Sequence, residues 1–206
     1  MISPEIKAVI FDVDGTAMPN IQRAMPSIEV VNAVKAAQTK GIRMSCATGR
    51  QVDIARHIIE HLGLTDPCIV AAGTQIINPK DGTELWANYI SEENVATALA
   101  VLAPYNLRVL VDGDTLDTAL TADRIIPKSY HMLDVQHAPV SDLPAIFEKL
   151  KQDPTLSIIP VHGAEPDKVF LHITDKQATK EHAVHELLRL MELDQSEVAG
   201  VGDGLN

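Results

Sequence analysis

Short apolar runs at residues 7–11, 42–47 and 68–72 alternate with segments whose apolar residues recur at helical spacing. Strands separated by helices in this way run parallel, and their crossovers are right-handed. The first helix is expected to open at Ser27, to place Val30, Val31, Val34 and Ala37 on one face, and to end at Gly41. The second is expected over residues 50–62, with Ile54, Ile58, Ile59 and Leu62 inward and Gly63 as terminator. The same pattern returns near the end, where residues 169–173 read as a strand, 178–191 as a helix and 197–201 as a strand.

Between these blocks the pattern changes. Residues 74–78 and 84–89 flank Pro79-Lys80-Asp81-Gly82 and read as a hairpin. Residues 91–103 and 141–152 read as helices, 108–111 and 156–162 as strands, and 113–140 show no clear period. The mixture points to an α+β insertion. The expected fold class is α/β: a Rossmann-like, doubly wound parallel sheet core formed by residues 1–80 and 167–206, with an inserted cap domain at 81–166. Aromatic residues make up only 3% of the chain, so the core must be built from Ala, Val, Ile and Leu, as suits such an interior.

The charge balance narrows the partners. A net charge of −11 repels nucleic acid and anionic membranes at long range. An anionic small substrate would need local positive charge or a metal. No apolar run is long enough for a membrane span, and Met1-Ile2-Ser3-Pro4-Glu5 does not resemble a signal peptide. Cys46 and Cys68 are too few for a disulfide framework and lack zinc spacing. The expectation is a reduced, cytoplasmic protein.

Four elements carry chemistry, and all lie at the same edge of the expected sheet. Asp12-Val13-Asp14-Gly15 ends the first strand. Residues i and i+2 of an extended chain point the same way, so the two carboxylates converge where ligands of doubly wound sheets bind. They would form a hard oxygen site for Mg²⁺. One acid could act as nucleophile while the other gives and takes a proton. Thr48-Gly49-Arg50 ends the second strand, where a hydroxyl and free amides could hold an anion. Lys180 stands in the first turn of a helix, against the preference of the helix dipole, which suits a cation serving a bound anion. Gly202-Asp203-Gly204-Leu205-Asn206 follows the last strand, with Asp203 a further carboxylate for the metal and Asn206 a neutral donor to phosphate. Asp12 and Thr48 are separated by the length of one strand–helix–strand unit, whereas Thr48 and Lys180 are much further apart; the excess is the insertion.

In these motifs the chain resembles the haloacid dehalogenase (HAD) superfamily of Mg²⁺-dependent phosphatases, and its large insertion together with Ala47-Thr48-Gly49-Arg50 is similar to the Cof-type sugar-phosphatase branch. The resemblance implies that Asp12 attacks phosphorus and forms an aspartyl-phosphate, and that Asp14 protonates the leaving oxygen and then activates water. It implies that Thr48 and Lys180 hold the phosphoryl oxygens, beside the Gly49 amide and Asn206 read above as phosphate donors, and that Asp12, Asp14 (through its backbone carbonyl) and Asp203 bind Mg²⁺. The acid at position 14 favours a phosphatase over the P-type ATPases of the superfamily, which carry Thr there. The partner implied is a small phosphorylated metabolite, foremost a sugar phosphate.

Some positions depart from the family pattern. Ala17 replaces Leu, Ala72-Gly73 replaces Asn-Gly, and Glu181 stands where Gly is common. The family pattern continues beyond Asn206 with an Asp, a helix and a strand, so the sequence reads as C-terminally truncated. The alternatives are therefore a truncated non-catalytic fragment, or a phosphomutase-like phosphoryl transferase. His57 and His61 are spaced for a transition metal but lack a third ligand. His182 and His185 read as solvated or partly packed, and Asp112, Asp114 and Asp117 as a solvated turn.

Overall fold

A computed structural model describes residues 5–19, 24–111, 120–121, 129–162 and 165–203. The chain divides into two compact units, Met1–Ala87 with Thr179–Asn206, and Asn88–Ala178. The first unit begins with β1 (Ala8–Asp12), α1 (Ile28–Thr39), β2 (Arg43–Ala47), α2 (Val52–Leu62), β3 (Cys68–Val70), β4 (Gln75–Ile77) and β5 (Glu84–Ala87). The second holds α3 (Glu92–Leu102), β6 (Arg108–Val111), β7 (Leu133–Pro139), α4 (Leu143–Leu150), β8 (Leu156–His162) and β9 (Lys168–Asp175). The chain then returns to the first unit with α5 (Lys180–Met191) and β10 (Val198–Val201).

The sheet of the first unit has the order β10-β1-β2-β3-β4-β5. β10, β1, β2 and β3 are mutually parallel, and the β4–β5 hairpin extends the sheet antiparallel. Alternation along β1 sends Ala8 and Ile10 to a cluster with Ala183, Leu187 and Leu188 of α5. Phe11 and the following Val13 go instead to a cluster with Val34, Ile58, Ile59 and Leu62 of α1 and α2. Both faces of the parallel strands are thus covered, as a parallel sheet requires.

Helix α2 starts at Val52, two residues later than the sequence suggests, and its buried stripe is Ala55, Ile58, Ile59 and Leu62. Ile54, expected inward, is 48% exposed. A stripe through positions 55, 58, 59 and 62 leaves position 54 on its flank. Gly63 takes the left-handed conformation that ends α2.

In the second unit the strand order is β6-β7-β9-β8, all antiparallel. One face packs on α3 and α4, where Val95, Leu99, Leu102, Ile146 and Leu150 meet Val109, Leu133, Val135, Leu171 and Ile173. Residues 169–173, expected in the parallel core, therefore belong to this sheet. β5, on the far side of the expected boundary at 80/81, is hydrogen-bonded into the first sheet. The units meet at 87/88 and 178/179 for these two reasons. Among the described residues no helix is long and apolar enough to cross a membrane.

Candidate active site

Asp12 is the last residue of β1 and pairs with Ala47 in β2. The segments following both strands therefore emerge side by side at one edge of the sheet. Asp12 Oδ1 accepts from the amide of Val13 at 2.9 Å and from Lys180 Nζ at 2.9 Å. Lys180 is the first residue of α5, whose N-cap Thr179 accepts from the amide of His182. The side chains of Lys180 and Asp12 are 15% and 18% exposed, so the pair is sheltered but reachable.

Asp14 sits in the turn beyond β1. Its carboxylate accepts from Arg50, with Nη2 at 2.6 Å and Nε at 3.0 Å and 3.2 Å from the two oxygens. Bidentate pairing of this kind fixes orientation as well as charge. The hydrogen bonds from Arg50 to Asp14 raise the guanidinium's pKa further. Sequence reasoning placed the Arg50 amide in an anion site and missed this role for its side chain. The signal was the adjacency of the two strand ends, which brings residues two or three positions beyond each within reach of one another.

Thr48 is 1% exposed. Its Oγ1 accepts from the Arg50 amide at 3.1 Å, so that amide is engaged within the loop. Gly49 stands beside it with open space where a Cβ would be. Asp203 follows β10 and lies over Gly15, where a Cβ would run into its carboxylate. A side chain here would push the Asp203 carboxylate aside, and Gly15 has φ +82°, a conformation that favours glycine. A long contact of 3.5 Å joins Thr16 Oγ1 to Asp203 Oδ1, and a Cβ at Gly202 would lie 3.8 Å from Asp12 Cβ. A cavity of about 700 Å³ has Asp12, Lys180 and Gly202 in its wall.

Asp12, Asp14, Thr48, Gly49, Lys180 and Asp203 thus share one sheet edge. Asn206, Asp112, Asp114 and Asp117 lie outside the described residues. Among the described residues no group of three His, Cys, Asp or Glu side chains is arranged to hold a metal ion; the Asp14 carboxylate is turned to Arg50. Two carboxylates remain near the end of β1: Asp12 itself and Asp203, whose oxygens lie over Gly15 and beside Thr16. An all-oxygen set of one or two carboxylates suits Mg²⁺, which keeps several waters and shares a substrate phosphate.

His61 and His182, two of the remaining sequence candidates, have other partners. His61 Nε2 lies 3.0 Å from the Pro26 carbonyl, and the His182 ring packs 5.6 Å from that of Trp86. Cys46 and Cys68 are buried free thiols, and the hydrogen bond between them, with burial, holds the Cys46 thiol well above its ordinary pKa.

Fold and site together define a two-unit α/β protein with one acid at the end of its first strand and a second two residues on. The family model described as haloacid dehalogenase-like hydrolase matches residues 9–121, and the chain belongs to that family. Solved structures agree on the fold. A HAD-superfamily phosphatase from Bacteroides thetaiotaomicron is 18% identical, with 98% of this chain and 79% of that chain covered at a TM-score of 0.76. A haloacid dehalogenase-like hydrolase from B. subtilis is 18% identical, covering 97% and 84% at 0.76. A subclass IIB sugar phosphatase of the superfamily is 18% identical, covering 96% and 81% at 0.73.

Proposed function

We propose that this chain is a Mg²⁺-dependent phosphatase that hydrolyses small phosphorylated metabolites, sugar phosphates foremost, through an aspartyl-phosphate at Asp12. The observation that carries the reading is the Asp12–Lys180 contact at 2.9 Å. Lys180 and the Val13 amide both hold Oδ1, which fixes the carboxylate and leaves Oδ2 for attack. The family and the sugar phosphatase among its structural neighbours support the substrate class.

Asp14 first leaves Arg50 and takes up a proton from solvent; Asp12 Oδ2 then attacks phosphorus in line with the leaving oxygen, the P–O bond to the leaving group breaks, and Asp14 delivers its proton to that oxygen. Asp14 then takes a proton from water, whose oxygen attacks the phosphoryl group and releases the Asp12 carboxylate and inorganic phosphate. Splitting the displacement in two lowers each barrier. Lys180 offsets the charge that gathers on the phosphoryl oxygens. Thr48 accepts from the Arg50 amide and keeps its own hydroxyl proton to donate, so it meets only a ligand pressed against the end of β2. Arg50 holds Asp14 as a carboxylate between turnovers and has to release it before it can carry a proton. Asp12, Asp203 and the Asp14 backbone carbonyl would hold Mg²⁺, which supplies neutralisation of the phosphate's charge.

The test is hydrolysis of p-nitrophenyl phosphate with Mg²⁺ by the native chain and by Asp12→Asn. Turnover that falls by at least about 10³-fold in the variant, as loss of a nucleophile demands, supports the reading. Equal turnover in both, or none by folded native chain, overturns it.

A further inference from the structure

Strand β3 runs into a turn that residues with a Cβ rarely adopt. Ala71, Ala72 and Gly73 have φ of +48°, +59° and +97°, three left-handed residues in succession of which only the last is glycine. Left-handed alanine strains its Cβ against the backbone. Such strain persists where the surroundings over-determine it, and it gathers at functional sites.

The surroundings here are specific. The Ala71 amide donates to the Arg50 carbonyl at 2.8 Å, and the Ala72 amide to the Thr48 carbonyl at 3.1 Å. Gly73 is buried against the start of α5. A Cβ on it would come within 2.5 Å of the Thr179 carbonyl carbon, 2.6 Å of the Lys180 nitrogen and 2.7 Å of the Thr179 oxygen. All three are backbone atoms, which cannot swing aside as a side-chain tip can. One turn therefore grips the loop carrying Thr48 and Arg50 and also abuts the residue carrying Lys180.

We propose that Ala71–Gly73 is a positioning clamp, in which Gly73 seats Lys180 against Asp12 while the two alanine amides hold the Thr48–Arg50 loop beside it. Gly73 touches no reacting atom; it acts through the first turn of α5. The kinetic consequence rests on the phosphatase reading, whereas the geometric claim does not.

Gly73→Ala tests it, with Gly41→Ala as comparator. Gly41 has φ +83° and open space around its missing Cβ, so both variants strain the backbone but only one meets α5. Both should melt earlier. At a temperature where each is folded by circular dichroism, Gly73→Ala should lose about 100-fold in kcat on p-nitrophenyl phosphate, as small misplacements of catalytic groups do. Gly41→Ala should stay within about twofold of the native chain. In a Lys180→Ala background Gly73→Ala should add less than about twofold, because the group it acts through is gone. Equal losses in the two glycine variants, or a full further loss on top of Lys180→Ala, overturn the clamp.

If Gly73→Ala does not fold, the native chain still decides the matter by amide hydrogen exchange with Mg²⁺ and inorganic phosphate. Exchange at Ala71 and Ala72 should slow together with that at Lys180, and unchanged rates there while Lys180 slows overturn the clamp. A native chain without turnover defeats the phosphatase reading alone. The clamp is then read from urea unfolding, where an Asp12→Asn/Lys180→Ala cycle should show coupling in the native background and none with Gly73→Ala; undiminished coupling overturns it.

Discussion

Asp134 and His172 stand opposite each other in β7 and β9, with His172 Nε2 3.8 Å from Asp134 Oδ1. An ion pair would lower the acid's pKa and raise the imidazole's. Both shifts run the other way: burial raises Asp134 to about 6 and lowers His172. Desolvation thus outweighs attraction at this separation, even though Gln136 Nε2 donates to Asp134 Oδ2 at 2.6 Å. The ordinary value for Asp134 is 3.8, so between that pH and about 6 the folded state holds a proton the unfolded state has lost. Stability then falls as pH rises through this window, and the deficit remains at neutral pH. Asp134→Asn removes the titration and keeps an acceptor for Gln136. It should be about 3 kcal/mol more stable than the native chain at pH 7 and nearly equal at pH 4. Urea unfolding across that range measures the difference, and a gain of the same size at both ends would show that charge burial is not its source.

Helix α5 shows how an element delivers a residue. Thr179 caps it by accepting from the His182 amide at 3.1 Å, and the next residue is Lys180. Ser91 caps α3 in the same way, accepting from the Asn94 amide at 3.1 Å, but α3 carries no site residue. Thr179→Ala and Ser91→Ala should each cost about 1 kcal/mol of stability. Only Thr179→Ala should also lower kcat, by roughly tenfold, with Thr179→Ser restoring it. Parallel melting curves and rates on p-nitrophenyl phosphate separate these outcomes; equal rates in the two alanine variants would deny α5's first turn a positioning role. The sequence made much of this scale legible. β1, α1, β2, α2 and β3 appear in the expected order because each follows one clear period. β9 was misassigned although its pattern was informative: Val169, Leu171 and Ile173 alternate with partly exposed Phe170 and His172, the mark of a sheet covered on one face rather than two. β7 escaped notice because its register shifts between Val135 and Ala138, around a left-handed His137, which breaks the alternation. The ends of β1, β2 and β10 could be read because their acids, glycines and hydroxyl stand in sequence beside apolar runs. The Arg50–Asp14 pair was open to inference only through the expected adjacency of the ends of β1 and β2, and the Ala71–Gly73 turn was not, since its shape depends on how neighbouring strands bring loops together.

At the scale of the molecule, charge sets the terms on which an anion can be held. The chain carries −11 overall, and the site itself sets three carboxylates, Asp12, Asp14 and Asp203, against two cations, Lys180 and Arg50. Two of these groups are already spent on each other, since Arg50 is bidentate on Asp14. Lys180 is in turn bound to Asp12. A phosphate dianion entering alone would meet repulsion at long range and no free cation among these residues. On the proposed reading, Mg²⁺ held by Asp12 and Asp203 would turn the local balance positive and make phosphate binding favourable. Ligands that bind only the folded state stabilise it in proportion to the logarithm of one plus the ratio of free ligand to its dissociation constant. Inorganic phosphate at about 100 times its dissociation constant should therefore stabilise the chain by about 2.7 kcal/mol in the presence of Mg²⁺, and have no effect in EDTA. Mg²⁺ alone should give a smaller shift, lost in Asp203→Asn. Raising the salt concentration should strengthen phosphate binding at fixed Mg²⁺, because screening acts first on the long-range repulsion and least on contacts at the sheet edge. Calorimetric scans with phosphate, Mg²⁺, both and neither would resolve the four cases, and an equal shift by phosphate with and without Mg²⁺ would show that Lys180 and Arg50 suffice to hold the anion.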